Sequence, residues 1–117
     1  MSDADPLLDA RARVVHDLQA RGVDHPQLVN IVDAVVTERR WWVEQWPEGG
    51  AYVAGQIAQD VQERVRDAGL GRWPRCASCD ELDGHELRIT PDLGPDPTWV
   101  CETSGILVAP LGSLMTT

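Results

Sequence analysis

The three cysteines of the chain, Cys76, Cys79 and Cys101, lie in one stretch that also contains His85. Thiolate sulfur and imidazole nitrogen are preferred zinc ligands in proteins, usually arranged as a tetrahedron of four. Cys76-x-x-Cys79 has the spacing of the first half of such a site, because two thiolates separated by two residues can face one ion from a tight turn. The spacing therefore predicts zinc chemistry in this stretch.

The second half of the site is less regular. Cys101-Glu-Thr-Ser-Gly105 has the outline of a second knuckle, meaning a tight turn that carries metal ligands, but serine stands where the last cysteine would be. Because serine is a poor zinc ligand, another donor must complete the site. We prefer His85, which lies at the start of a predicted strand. Asp80, Glu102 and water are the alternatives, and water would make the zinc open and catalytic.

Two further interpretations of the cysteines stay open, a metal-free module with buried thiols and a redox pair formed by Cys76 and Cys79. A thioredoxin-like pair sits at a helix N-terminus after a strand, which the pattern here does not predict. The odd cysteine count and the lack of a basic and then apolar N-terminus argue against a secreted disulfide framework. No apolar run approaches the roughly 20 residues of a membrane-spanning helix. We expect a cytoplasmic protein.

The C-terminal stretch resembles a zinc ribbon over residues 73–110, in the order knuckle, strand, strand, knuckle, strand. The likeness departs from the four-cysteine pattern at Ser104. The chain also resembles small zinc-ribbon proteins of GC-rich bacteria that have no assigned role, and this resemblance implies no catalytic residues. It implies a structural zinc ion, for which our expected ligands are Cys76, Cys79, His85 and Cys101.

Hydrophobic periodicity and turn signals predict the elements that must position these residues. Three amphipathic helices are expected, from Asp5 to Gly22, from Asp24 to Pro47 and from Ala51 to about Ala68. Beyond Gly71 the helical period disappears, and three short strands are expected at residues 85–90, 98–102 and 106–109. The predicted fold class is α+β, with a three-helix N-terminal bundle (residues 1–70) packed on a small three-stranded zinc-ribbon-like β module (residues 71–117).

The first helix illustrates the pattern used for all three. Its apolar residues fall on one stripe, and its charged residues are expected mostly outside that stripe, with Asp17 among them.

The β module that follows the helices in the sequence has about 45 residues and is expected to bury little apolar area. Modules of that size usually need a metal, disulfides or a supporting domain.

The five tryptophans are candidates for an interaction surface or for the core: Trp41, Trp42, Trp46, Trp73 and Trp99. Trp73 and Trp99 flank cysteines and are expected to wrap the metal site, with a stacking platform as the alternative. Trp42 and Trp46 are four apart and can share a buried stripe, while Trp41 faces elsewhere. We expect this end of the second helix to pack on the zinc module, and an exposed aromatic–arginine interface is the alternative.

Charge narrows the function classes. Nineteen acidic and 10 basic residues give a net charge of −9, which repels phosphate backbones, so direct nucleic-acid binding is not expected. No nucleophile elbow, phosphate loop, HExxH motif or dinucleotide fingerprint is present. We expect a non-enzymatic, zinc-stabilised interaction or adaptor module whose acidity favours a protein partner with a basic surface; self-association stays open. A transcription-linked zinc-ribbon factor is the second hypothesis and a zinc hydrolase with an open coordination site the third.

Overall fold

A computed structural model describes residues 5–21, 25–76, 85–91, 94 and 96–115. In these residues three helices precede three strands. The helices are α1 (Pro6–Arg21), α2 (Gln27–Gln45) and α3 (Val53–Asp67). The strands are β1 (Arg88–Thr90), β2 (Thr98–Val100) and β3 (Leu107–Pro110), and they form one antiparallel sheet in the order β1-β2-β3. This architecture confirms the α+β prediction.

The start of α1 follows from two adjacent residues. Pro6 supplies a backbone angle suited to a first helical turn, and the carboxylate of Asp5 accepts a hydrogen bond from the backbone N–H of Leu7 at 2.9 Å. That bond, together with the nearby guanidinium of Arg40, holds the pKa of Asp5 below its ordinary value. Gly22 and Asp24, expected to end this helix and begin the next, lie outside the described residues.

The tryptophan-rich end of α2 packs on the turn that follows it. Residues Pro47–Ala51 form a 3-10 helix, and a methyl group added at Gly49 would lie 2.5 Å from the ring of Trp46 and 2.9 Å from that of Trp42. The rings of Trp42 and Trp46 meet edge to face at 5.2 Å between centroids. Among the described elements, α2 contacts α1, α3 and this 3-10 helix but none of the three strands, so the expected packing of this end of α2 on the zinc module is not found there.

One hydrophobic core includes side chains from both halves of the chain. Its helical members include Val14, Val35 and Ile57, and its members from the β module include Leu87, Ile89 and Trp99. In the sheet, Ile89 pairs with Trp99 across β1 and β2, and both side chains are buried. The helices and the sheet therefore share a core, while the division into units at residue 70 stays a prediction.

A buried glutamine ties α3 to the β module. The side-chain amide of Gln62 donates hydrogen bonds to the carbonyl of Leu87 at 2.7 Å and to the carbonyl of Trp73 at 3.2 Å. Both acceptors belong to backbone segments that run beside α3. A glutamate could not replace Gln62 in this role, because a carboxylate has no hydrogen to give to a carbonyl.

We predict that Gln62→Leu lowers the free energy of unfolding by about 2 kcal/mol, because two buried carbonyls lose their donor. Denaturant unfolding monitored by tryptophan fluorescence measures the change. Gln59→Leu makes the same substitution at a half-buried position of α3 and serves as the control, with an expected change within about 0.5 kcal/mol. Equal effects of the two substitutions would contradict the bridging role of Gln62.

A buried aspartate ties α1 to the residues after β3. The side chain of Asp17 is 0% exposed, and its Oδ2 accepts hydrogen bonds from the indole N–H of Trp99 at 2.8 Å and the backbone N–H of Gly112 at 2.7 Å. Its Oδ1 accepts one from the backbone N–H of Leu114 at 3.1 Å and lies 2.8 Å from Nδ1 of His16. The expectation that Asp17 lies outside the buried stripe is wrong, because these donors satisfy its carboxylate inside the protein.

Candidate metal centre

Cys76 and His85 are brought together by a short antiparallel pairing that precedes β1. The N–H of Cys76 donates to the carbonyl of His85 at 2.7 Å, and the N–H of Leu87 donates to the carbonyl of Pro74 at 2.7 Å. The two bonds place Cys76 directly opposite His85 on two paired antiparallel segments. Cys79 and Asp80, which lie between these two residues in the sequence, are outside the described residues.

Cys101 is positioned by the turn between β2 and β3. Its N–H donates to the carbonyl of Ile106 at 3.0 Å, and its carbonyl accepts from the N–H of Gly105 at 2.7 Å. Gly105 has φ +76°, a left-handed conformation that favours glycine. Because Val100 pairs with Arg88, Cys101 lies beside the residues just before β1, and His85 is among them.

The three side chains converge on one point. One ligand atom from each of Cys76, His85 and Cys101 lies within 4.8 Å of the others, and Nε2 of His85 is 3.6 Å from Sγ of Cys101. A tetrahedral zinc ion with ordinary Zn–S and Zn–N distances would separate such a sulfur and nitrogen by about 3.6 Å. Cys101 is buried and the other two are half-buried. The geometry therefore suits a tetrahedral metal ion.

His85 presents the correct nitrogen for a ligand. Its Nδ1 lies 3.2 Å from the backbone carbonyl of Glu86, and since a carbonyl only accepts, Nδ1 must carry the hydrogen. In the neutral ring, Nε2 then has the lone pair, and Nε2 is the atom that faces Cys101. Metal-binding histidines commonly use their second nitrogen in this way, which fixes the tautomer and the ring orientation.

Hydrogen bonds around Cys101 favour the thiolate, which is the form that binds metals. The hydroxyl and the backbone N–H of Ser104 contribute most, with the N–H lying 3.5 Å from the sulfur. With Cys76 and the N–H of Thr103 adding to them, these bonds lower the pKa of Cys101 to about 6. Ser104 thus stabilises the thiolate of Cys101 by hydrogen bonding. The sequence pattern showed Ser104 only as the residue that replaces the last cysteine of the second knuckle.

Glu102, considered as an alternative fourth ligand, is not part of the described cluster. Its side chain is 63% exposed and lies 3.7 Å from Nε of Arg88. Within the described part of the chain, the group of nearby ligand atoms contains only Cys76, His85 and Cys101. Three of the four expected ligands are thus together, and the fourth, Cys79, falls outside the described residues.

A groove of about 520 Å³ lies next to this centre, between α3 and the start of β1. His85 and Glu102 both line it. Charges of both signs meet there, as in the ion pair of Arg66 with Glu86 at 2.6 Å. The groove gives solvent access to the histidine side of the centre.

The tryptophans of the β module belong to the core. Trp73 and Trp99 are both 0% exposed, and their rings meet edge to face at 5.3 Å. Both indole N–H groups reach Asp17, that of Trp73 through the backbone carbonyl at 3.3 Å. The stacking platform and the interface role considered for these two rings are therefore wrong. Trp41, in contrast, is 64% exposed on α2.

Comparison with known proteins places the chain in a family without assigning an activity. The model of a family described as "Domain of unknown function (DUF8819)" matches residues 3–111, so the chain belongs to this family. Searches of curated proteins and of solved structures give no match. Within the described ranges, none of the helices combines the length and the apolar character needed to cross a membrane.

Proposed function

We propose that the protein binds one structural zinc ion through Cys76, Cys79, His85 and Cys101, and that it acts as a non-enzymatic interaction or adaptor module. The convergence of a nitrogen and two sulfurs within 4.8 Å carries the proposal. Bound zinc would supply a cross-link between the pairing at residues 74–87 and the turn at residues 101–106. The zinc-ribbon resemblance predicts the same role.

The surroundings of the site support a structural metal. Cys101 is buried, its sulfur accepts hydrogen bonds from Ser104, and the tautomer of His85 is held by a backbone carbonyl. Structural zinc sites in small modules are closed and contribute directly to folding. The strands of the β module have only three or four residues, so their ladders contain few hydrogen bonds, and a metal cross-link would add to the stability of this part of the chain.

A zinc hydrolase is less well supported, although a groove adjoins the site. That hypothesis requires His85 to lie off the metal and an acid to face a zinc-bound water. Nε2 of His85 instead lies 3.6 Å from the sulfur of Cys101, and Glu102 lies on the surface beside Arg88.

A nucleic-acid-binding role would require a continuous basic face. Two neighbouring arginines of α2 are instead held by carboxylates, since Arg39 pairs with Asp60 at 2.8 Å and Arg40 pairs with Asp5 at 3.3 Å. With a net charge of −9, the protein favours a basic protein partner over a phosphate backbone.

We expect about one equivalent of zinc per chain in protein purified after metal-replete expression, measured by elemental analysis. His85→Ala is expected to weaken zinc affinity at least tenfold, because it removes a ligand. His25→Ala is the matched control, since His25 lies at the start of α2, where its Nδ1 accepts a hydrogen bond from Gln27. Less than half an equivalent in the unaltered protein would contradict the proposal.

A further inference from the structure

A second groove lies between α2 and α3, and it shares Glu63 with the groove beside the metal centre. Its volume is about 310 Å³, and Trp41 stands at its rim with 64% of its surface exposed. Large aromatic side chains are enriched at protein interfaces relative to the rest of the protein surface. The exposed indole therefore gives this groove a feature that favours contact with another molecule.

The charges along the groove do not balance. Three carboxylates and two guanidiniums line it. Arg39 pairs with Asp60 at 2.8 Å, and Arg64 contacts both carboxylate oxygens of Glu38 at 2.6 Å. Glu38 in turn raises the pKa of Arg64 above its ordinary value.

The remaining carboxylate is that of Glu63. Its side chain is exposed and takes part in neither of these two ion pairs, although its charge adds to the rise in the pKa of Arg64. Once the two ion pairs are set against each other, the groove keeps one net negative charge, that of Glu63, beside the exposed ring of Trp41.

The same groove shows how a cation is held against an aromatic ring. The guanidinium carbon of Arg39 lies 5.5 Å from the ring centroid of Trp42, while the same guanidinium bonds Asp60 and Gln56 at 2.8 and 3.1 Å. This combination of a ring face and an acceptor is a cation–π arrangement. Trp41 and Glu63 offer the same two components to an incoming cation.

We propose that this groove binds a basic segment of a partner protein, with an arginine side chain stacked on Trp41 and its charge neutralised by Glu63. Arginine fits better than lysine because its planar guanidinium can stack and donate hydrogen bonds in the same plane. The net charge of −9 attracts such a segment from a distance and increases the rate of encounter. The inference rests on the interaction role proposed above and names the partner's chemistry.

A short labelled peptide of alternating arginine and glycine is the probe, and its glutamate–glycine counterpart is the control. We expect the basic peptide to bind, measured by fluorescence anisotropy, and the acidic peptide not to bind. Trp41→Ala is expected to weaken binding about twofold to fivefold, the range of an exposed cation–π contact. Glu63→Gln is expected to weaken it by a similar factor.

Glu44→Gln is the matched control for charge, because Glu44 is also exposed but does not line the groove. We expect it to leave binding unchanged. In addition, the peptide should shift the indole N–H signal of Trp41 in an NMR spectrum and leave those of the buried Trp73 and Trp99 in place.

Equal weakening by Glu44→Gln and Glu63→Gln, or unchanged binding by Trp41→Ala, would overturn the inference, since either result would mean attraction by net charge alone. Zinc analysis of the same samples separates the two proposals. A full equivalent of zinc without peptide binding would refute the basic-segment site and leave the metal site standing. Peptide binding that depends on Trp41 in a chain with less than half an equivalent of zinc would refute only the metal site.

Discussion

Replacement of Cys101 by alanine is expected to remove stoichiometric zinc binding and to lower the melting temperature by at least several degrees. Cys101 is the most buried of the three described candidate ligands, and Ser104 donates hydrogen bonds to its sulfur. Its loss leaves the knuckle of residues 101–105 without its ligand. Because a structural zinc ion would bind the folded site far better than the unfolded chain, its binding free energy would add to the free energy of unfolding.

Thermal unfolding with and without a chelator tests this prediction. The chelator should lower the melting temperature of the unaltered protein and leave that of Cys101→Ala unchanged. Thr103→Ala is the control, because its side chain is exposed in the same turn and should leave the chelator response intact. A Cys101→Ala protein that retains a full equivalent of zinc would rule out Cys101 as a ligand.

The course of the helices could be predicted from sequence because each carries a continuous apolar stripe. The prediction placed the third helix at residues 51–68, and α3 spans Val53–Asp67. The difference comes from the preceding turn, where Pro47–Ala51 forms a 3-10 helix. In that turn the rings of Trp42 and Trp46 pack against Gly49. Helical periodicity does not indicate such a contact between neighbouring elements.

The candidate metal centre could be predicted from ligand chemistry, since few residue types bind zinc and they are concentrated in one stretch. Its position at the start of a predicted strand favours His85 as a ligand, and the residue does lie beside Cys101. The role of Ser104 could not be predicted in this way. It depends on the backbone of the turn, which directs the N–H and the hydroxyl toward the sulfur.

Asp17 shows where a charge misled the sequence interpretation. It follows Val14 by three residues and precedes Leu18, so its spacing already places it on the buried stripe of α1. A carboxylate at such a position is usually assigned to solvent. Only the folded chain brings Trp99, Gly112 and Leu114 to it, and these residues are more than 80 positions away in sequence.

Replacement of Asp17 by asparagine is expected to lower the free energy of unfolding by about 3–5 kcal/mol. Each carboxylate oxygen now accepts from two partners, Trp99 and Gly112 at Oδ2, and Leu114 and His16 at Oδ1. In asparagine an NH₂ group replaces one of these two oxygens, whichever way the amide is turned. That NH₂ group then faces hydrogen-bond donors and cannot accept from them. At least one buried N–H therefore loses its acceptor.

Denaturant unfolding measures the loss, which is a large fraction of the roughly 5–15 kcal/mol that stabilises a typical domain. Hydrogen exchange locates it, because the amides of Gly112 and Leu114 should exchange faster in Asp17→Asn while those of α2 change less. His16→Ala is the control. The His16 side chain is 52% exposed, so its removal should cost less than about 1 kcal/mol. Equal losses in the two variants would contradict a central role for the carboxylate. A large loss in Asp17→Asn alone would show that this carboxylate of α1 holds residues 112–114 against the helices.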